Sequence, residues 1–300
     1  MAEFGWCDHA GVYHPPDLIV SRKGARNVFV PQPSMRGSWP EFEALLGPDR
    51  YPALRAIAST ARLVVRLRGE PLEVPAVDLA DVPLRELLPV RRPSSWRGMR
   101  HYVGRYVVHD PTGYYAVWHE SLLEGTHLRE LDWEGVRDLN SQVVRLEWAL
   151  PSGRALYHYP DFLMRVDGVM TLINVSARYW LQDRRHAIFD LTTFTCERMG
   201  WRHEVGLDDV SLARQRNLRY LEGFRGVLRN EPPFTVTGPP PRSFWGLRGR
   251  EGGGIFGGQR AAARLWARDM SFDPDEYLED YSQVWVGSPV PPPRREWTAP

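Results

Sequence analysis

Three hundred residues with 43% hydrophobic and 25% charged side chains hold enough apolar material for a packed core, which excludes a wholly disordered chain. No run approaches the roughly 20 apolar residues that span a bilayer, and the start lacks a basic region followed by an apolar one. Two cysteines, Cys7 and Cys196, make no disulfide framework, so an intracellular, cytoplasmic protein with no membrane partner is expected. The net charge is +1, and Lys23 is the only lysine, so chemistry needing a lysine elsewhere is excluded.

Residues 1–60 are rich in proline, glycine and aromatics and read as an N-terminal extension. It holds a helix from Pro40 to Ala58 that Gly47-Pro48 breaks; Phe42, Leu45, Leu46, Leu54 and Ile57 suit one face. Ala61 to Val74 predicts two short strands around a Gly-Glu-Pro turn, and Asp78 to Leu88 a loop or short helix. From Leu88 to His109 there is no acid, while Arg91, Arg92, Arg97, Arg100 and Arg105 alternate with Trp96, His101, Tyr102 and Tyr106. Such a segment suits DNA, because arginines neutralise phosphates and aromatic rings pack against sugars or unpaired bases. Arg91, Arg92, Trp96, Arg97 and Arg100 are therefore the candidate DNA-binding residues. A solvated loop covering the core is the alternative.

Val117 to Trp133 predicts an amphipathic helix with Trp118, Leu122, Leu128 and Leu131 on one stripe and Glu120 near its start. Gln142 to Leu150 and Ala155 to Val166 read as strands separated by Pro-Ser-Gly. Val169 to Ser176 reads as an apolar strand entered through the turn Asp167-Gly168. A helix from Gln182, ended by Gly200, precedes a short strand (Trp201 to Val205) and a helix within Asp208 to Leu228. Beyond Asn230 a Pro/Gly-rich C-terminal extension reads as linker around one short helix, Gln259 to Asp269. Within it, RSFWGLRGR (Arg242 to Arg250) reads as a basic peptide that folds on a partner. Cys7, His9 and His14 lack a fourth zinc ligand, and His119 and His158 suit packing rather than ligation.

From 117 to 205 the order is helix, strand, strand, strand, helix, strand, with Glu120 in the first helix and Tyr159-Pro160-Asp161 in the second strand. This pattern resembles the PD-(D/E)xK nuclease core. In that core a helix acid faces a strand Asp, and the next strand adds an acid and, two residues on, a base. Alternate strand residues share a face, so such a pair points into one cleft. More closely, residues 62–226 resemble the TnsA-like heteromeric transposase endonuclease subunits of actinobacteria. The matching stretches are LPVRRPSSWRGMRHYVG from Leu88, HESLLE from His119, Ser141-Gln142, and the run His158 to Phe162. Asp167-Gly168 and NLRYLEGFR from Asn217 complete them.

The resemblance implies an α/β fold: a restriction-endonuclease-like core, its mixed central sheet flanked by helices, over residues 61–229, with irregular N- and C-terminal extensions. It implies Mg²⁺ or Mn²⁺ held by Glu120 and Asp161, with Gln142 as a recurring core glutamine. DNA, a TnsB-like DDE transposase and a TnsC-like ATPase are the implied partners. The third position departs from the pattern, since Asn174 stands for the acid and Ser176 for the base. Arg178 would restore the charge only through a bulge, and Glu147 and Asp167 are substitute acids. Two main expectations follow: a metal-dependent DNA endonuclease subunit, or a catalytically inactive nuclease-fold subunit that binds DNA or partner proteins. A third is a structural assembly protein using its Pro-rich ends as docking arms.

Overall fold

The computed structural model describes residues 37–47, 49–67, 70–73, 79–91, 103–110, 113–228, 234–235 and 238–287, and three two-residue strands outside them. In chain order the elements begin with β1 (Trp6–Cys7), β2 (Tyr13–His14), α1 (Ser38–Ala44) and α2 (Arg50–Ala58). Next come β3 (Arg62–Leu67), β4 (Glu70–Glu73), β5 (Leu87–Leu88), β6 (Gly104–Asp110), β7 (Gly113–His119) and α3 (Leu122–Trp133). The central run is β8 (Asp138–Ser141), β9 (Val144–Ala149), β10 (Ala155–His158), β11 (Phe162–Val166), β12 (Val169–Ser176), α4 (Asp183–Met199) and β13 (Arg202–Leu207). Last are α5 (Leu212–Glu222), α6 (Phe244–Arg250), α7 (Gly254–Trp266), β14 (Ser271–Phe272), β15 (Val284–Trp285) and β16 (Arg295–Glu296).

Two larger sheets carry the α/β architecture. One has the order β10-β9-β3-β4 with β5 also on β3; the other runs β16-β13-β12-β11-β8. In the second, β8, β11 and β12 form an antiparallel meander, and α4 returns the chain so that β13 lies parallel to β12. Alternate residues of β12 go to opposite faces. Ile173 packs with Leu128 and Leu131 of α3, and Leu172 packs with Ile188, Phe189 and Leu191 of α4. The sheet is thus covered on both faces, which is why β12 reads as a nearly continuous apolar run.

Several elements differ from expectation. The region read as one helix from Val117 divides: Gly113–His119 is a strand paired with β6, and the helix begins at Leu122. Its start is set by Ser121, whose side chain caps the first turn. Ala155 to Val166 is two strands in different sheets rather than one. Helices α1 and α2 do not stand apart as an extension, because Phe42, Leu54, Ile57 and Ala58 lie in the main core. The C-terminal stretch expected as linker is also folded. Phe244, Leu247, Ala261, Leu265, Phe272 and Val284 close a second core against Trp133 of α3 and Leu218 and Leu221 of α5. RSFWGLRGR is α6, held in that core and not a free peptide.

Candidate functional site

The strands β8–β9 and β10–β11 form one long hairpin bent at its middle. His158 pairs with Leu146 and Phe162 with Ser141, so the four residues 142–145 oppose the three residues 159–161. One extra residue on one strand bends the pair and re-aims its side chains. At this corner Gln142 takes a left-handed φ of 56°. Its N–H donates to the Asp161 carbonyl at 3.0 Å, and its own carbonyl accepts from the Val90 N–H at 2.8 Å. That second bond docks the chain so that Arg91 enters the corner. The Arg91 guanidinium donates through Nε to Gln142 Oε1 and through Nη2 to Glu120 Oε2, and its Cζ lies 5.6 Å from the Tyr159 ring centroid.

Glu120 occupies the link between β7 and α3, one residue before the cap. Sequence reasoning missed its neighbour Glu124, whose signal is the Ser-x-x-Glu spacing of a capping box. Ser121 Oγ accepts from the Glu124 N–H at 3.1 Å and donates to Glu124 Oε1 at 2.9 Å. Glu124 Oε2 accepts from the Glu120 N–H at 2.7 Å. His119 is, as expected, a packing residue: Nδ1 lies 2.9 Å from the Ser121 carbonyl, and a Cβ on Gly125 would come within 3.0 Å of its ring.

Asp161 lies just before β11, and extending the register by one residue places it across from Asn174 on β12. Its Oδ2 accepts from the Val175 N–H at 2.7 Å. Burial pushes the Asp161 carboxyl up to about 8; the Glu124 and Glu120 charges add to this, while the Val175 bond and Arg91 oppose it. Burial likewise raises Glu124, partly offset by its bonds to Glu120 and Ser121. Glu120, Glu124 and Asp161 therefore feel one another's charge, with Arg91 as the neighbouring cation. Among the described residues, no group of three or more His, Cys, Asp or Glu is arranged to hold a metal ion.

The third position of the pattern is engaged elsewhere. Asn174 is buried and bonded on both sides, with Oδ1 2.8 Å from His158 Nε2 and Nδ2 2.7 Å from His203 Nε2. His203 Nδ1 continues the chain to Thr193 Oγ1 at 2.9 Å. A consistent polarity has Asn174 donating to His203, which requires that ring to be neutral, and accepting from His158, which a neutral ring also satisfies. Burial holds both rings neutral, pushing His158 down to about 4 and His203 to about 3. Ser176 Oγ accepts from Arg185 Nη1 of α4 at 2.9 Å. Arg178 does not restore the missing charge at Ser176. Its guanidinium pairs with Asp209 at 2.7 Å and its N–H donates to Asp208 Oδ1 at 2.9 Å.

The substitute acids also fall elsewhere. Glu147 pairs with Arg145 on β9, and Asp167 sits in the turn between β11 and β12 with φ 51°. Arg91 stands inside the acid corner rather than on an open surface, with its side chain 24% exposed. The other candidate DNA-binding residues, Arg92, Trp96, Arg97 and Arg100, lie outside the described residues. A cleft of about 770 Å³ lies at the other end of α3, lined by Asp132, Trp133, Arg137, Arg225, Trp266 and Arg268 among others. Its arginines serve the helix end, since Arg137 donates to the Asp132 carbonyl and Arg268 to that of Glu134. No family model and no curated protein matches the sequence.

Proposed function

We propose that the chain is a DNA-processing subunit with a restriction-endonuclease-like core, similar to TnsA, that cleaves a phosphodiester bond with a divalent metal held by Glu120 and Asp161. The observation that carries this reading is the convergence on one corner of an acid preceding α3 and an acid preceding β11. They converge within a helix, three-strand meander, helix, parallel-strand unit: α3, β8, β11, β12, α4, β13. The donors fit Mg²⁺ or Mn²⁺ in kind, being carboxylate oxygens. Burial is the main cause of the raised Asp161, and the Glu124 and Glu120 charges that add to it are what a bound cation would relieve. Such a metal supplies an activated water and charge stabilisation at the phosphate.

The chain's own residues complete the site around that chemistry. Gln142 Nε2 is buried and has no partner among the described residues, so it is a donor directed at the corner. At the position where the pattern has a base, Ser176 holds Arg185 of α4 through its Oγ, and that cation is also felt at His158. The amide of Asn174 is committed to His158 and His203, so the ligand set is the two carboxylates without it. In this reading the protein acts beside a DDE transposase and an ATPase, with DNA as substrate.

The test is nicking of supercoiled duplex DNA by the purified chain with Mn²⁺. Asp161→Ala should abolish nicking, and cutting at the parental rate by that variant would refute the assignment. A second reading, a nuclease fold that binds DNA or partners without cleaving, is favoured by the Arg91 contact with Glu120 and by the Asn174 amide held between two histidines. It predicts DNA retention at low salt with no nicking in any divalent metal.

A further inference from the structure

Arg91 already provides a positive charge where the proposed metal would sit. Its guanidinium bridges Glu120 and Gln142 and faces Tyr159, and its charge is felt at Asp161, Glu124 and His158. Residue 90 is pinned to the corner through the backbone, so the side chain can leave without undocking the chain. Partial exposure of Arg91 and Glu120 (24% and 16% of their side chains) puts this ion pair at the mouth of the corner, within reach of a ligand. A guanidinium binds phosphate oxygens in the same forked geometry that it uses for a carboxylate. Two cations cannot share one carboxylate oxygen without mutual repulsion, so metal and Arg91 compete for Glu120.

We propose that Arg91 is a built-in cation that holds the acid corner until a DNA phosphate draws it off, so that divalent metal loads onto Glu120 and Asp161 only with substrate engaged. This rests on the nuclease reading above and adds an order of events to it. Arg91 then has two successive partners, the Glu120 carboxylate in the free protein and a phosphodiester oxygen in the complex. Its departure leaves Gln142 Oε1 and Glu120 Oε2 facing the vacated space.

The experiment is Mn²⁺ binding to the full chain followed by electron paramagnetic resonance, in which bound metal leaves the free-ion signal. Asp161→Asn with the same duplex oligonucleotide sets the background for metal held by DNA itself. Wild type should bind Mn²⁺ on the order of tenfold more tightly with the duplex than without it. Arg91→Gln should reach the tighter value with no DNA. Equal Mn²⁺ affinity with and without DNA in the wild type, which needs no variant, would overturn the gating role and leave the metal site standing. No binding above the Asp161→Asn background under any condition would overturn the metal site and the gating together.

Discussion

Replacing Asp161 with asparagine should change how stability depends on pH, and the change can be worked out from the titrating groups of the site. In the folded protein Asp161 keeps its proton up to about pH 8, whereas an unfolded aspartate has lost it by about pH 4. Across that interval the native state binds one proton more, so stability falls as pH rises, by about 1.4 kcal/mol per unit. His158 and His203 act in the opposite sense. Their folded values of about 4 and about 3 lie below the unfolded value, so stability is lost as pH falls through about 6.5. For these three groups the two tendencies cancel near pH 6.5.

Between pH 6.5 and 8 the unfolded-state histidines shed the rest of their protons, which offsets about half of the Asp161 loss, so wild type should lose on the order of 1 kcal/mol. Asparagine keeps an oxygen for the Val175 N–H but carries no proton to lose, so the variant should not decline over this range and should gain slightly from the histidines. Urea unfolding at pH 6.5 and 8.0, in EDTA, measures both slopes. A wild type equally stable at the two values, or an asparagine variant that declines as steeply, would refute the electrostatic account of the corner.

Other sites give sharper local outcomes. Asn174→Asp removes the donor to His203 Nε2, so His203 must take a proton to satisfy the new carboxylate; a raised imidazole pKa by NMR and a loss of about 1–3 kcal/mol at pH 8, smaller at pH 6, should follow. An unchanged His203 titration would show that the amide does not set its state. Glu130→Ala leaves Arg214, which is fully buried, without the carboxylate that accepts its Nε at 2.9 Å, and should cost about 3–5 kcal/mol in urea unfolding. A loss under 1 kcal/mol would mean that Asp275, which also meets Arg214, suffices as its partner.

Legibility in the sequence followed how local the cause was. The strand Val169–Ser176 was readable because both its faces are buried, giving an apolar run between turn signals. The end of α4 was readable because Gly200 takes the left-handed cap with φ 68°. The break between β8 and β9 was not, since the bulge is a single left-handed Gln142 with no glycine to announce it. The α6–α7 lobe was hidden behind Gly252–Gly258, which composition reads as linker. A Cβ on Gly257 would approach the Arg248 carbonyl to 2.6 Å, so that glycine serves close packing between the two helices rather than looseness. Glu120 and Asp161 were singled out through the family resemblance, with Glu120 expected inside a helix that begins only at Leu122. The place of Arg91 was not legible, because it depends on a backbone bond from Val90 to the corner residue Gln142, 52 positions later.

That dependence explains why the same departure from regular pairing serves fold and site at once. A regular hairpin from 138 to 166 would alternate its side chains through one sheet and leave Gln142 and Tyr159-Pro160-Asp161 as ordinary strand positions. The extra residue at the corner sends the two halves into different sheets and offers the Gln142 carbonyl to Val90. It also brings the Asp161 carboxylate to the Val175 N–H. Deleting Val143 to restore pairing would therefore remove the corner and shift β9 by one residue, turning Leu146 and Trp148 away from the core they share with Leu63 and Leu156. Glu120 reaches Arg91 from the link before α3, and the bend places Asp161 where the charges of Glu120, Glu124 and Arg91 are felt.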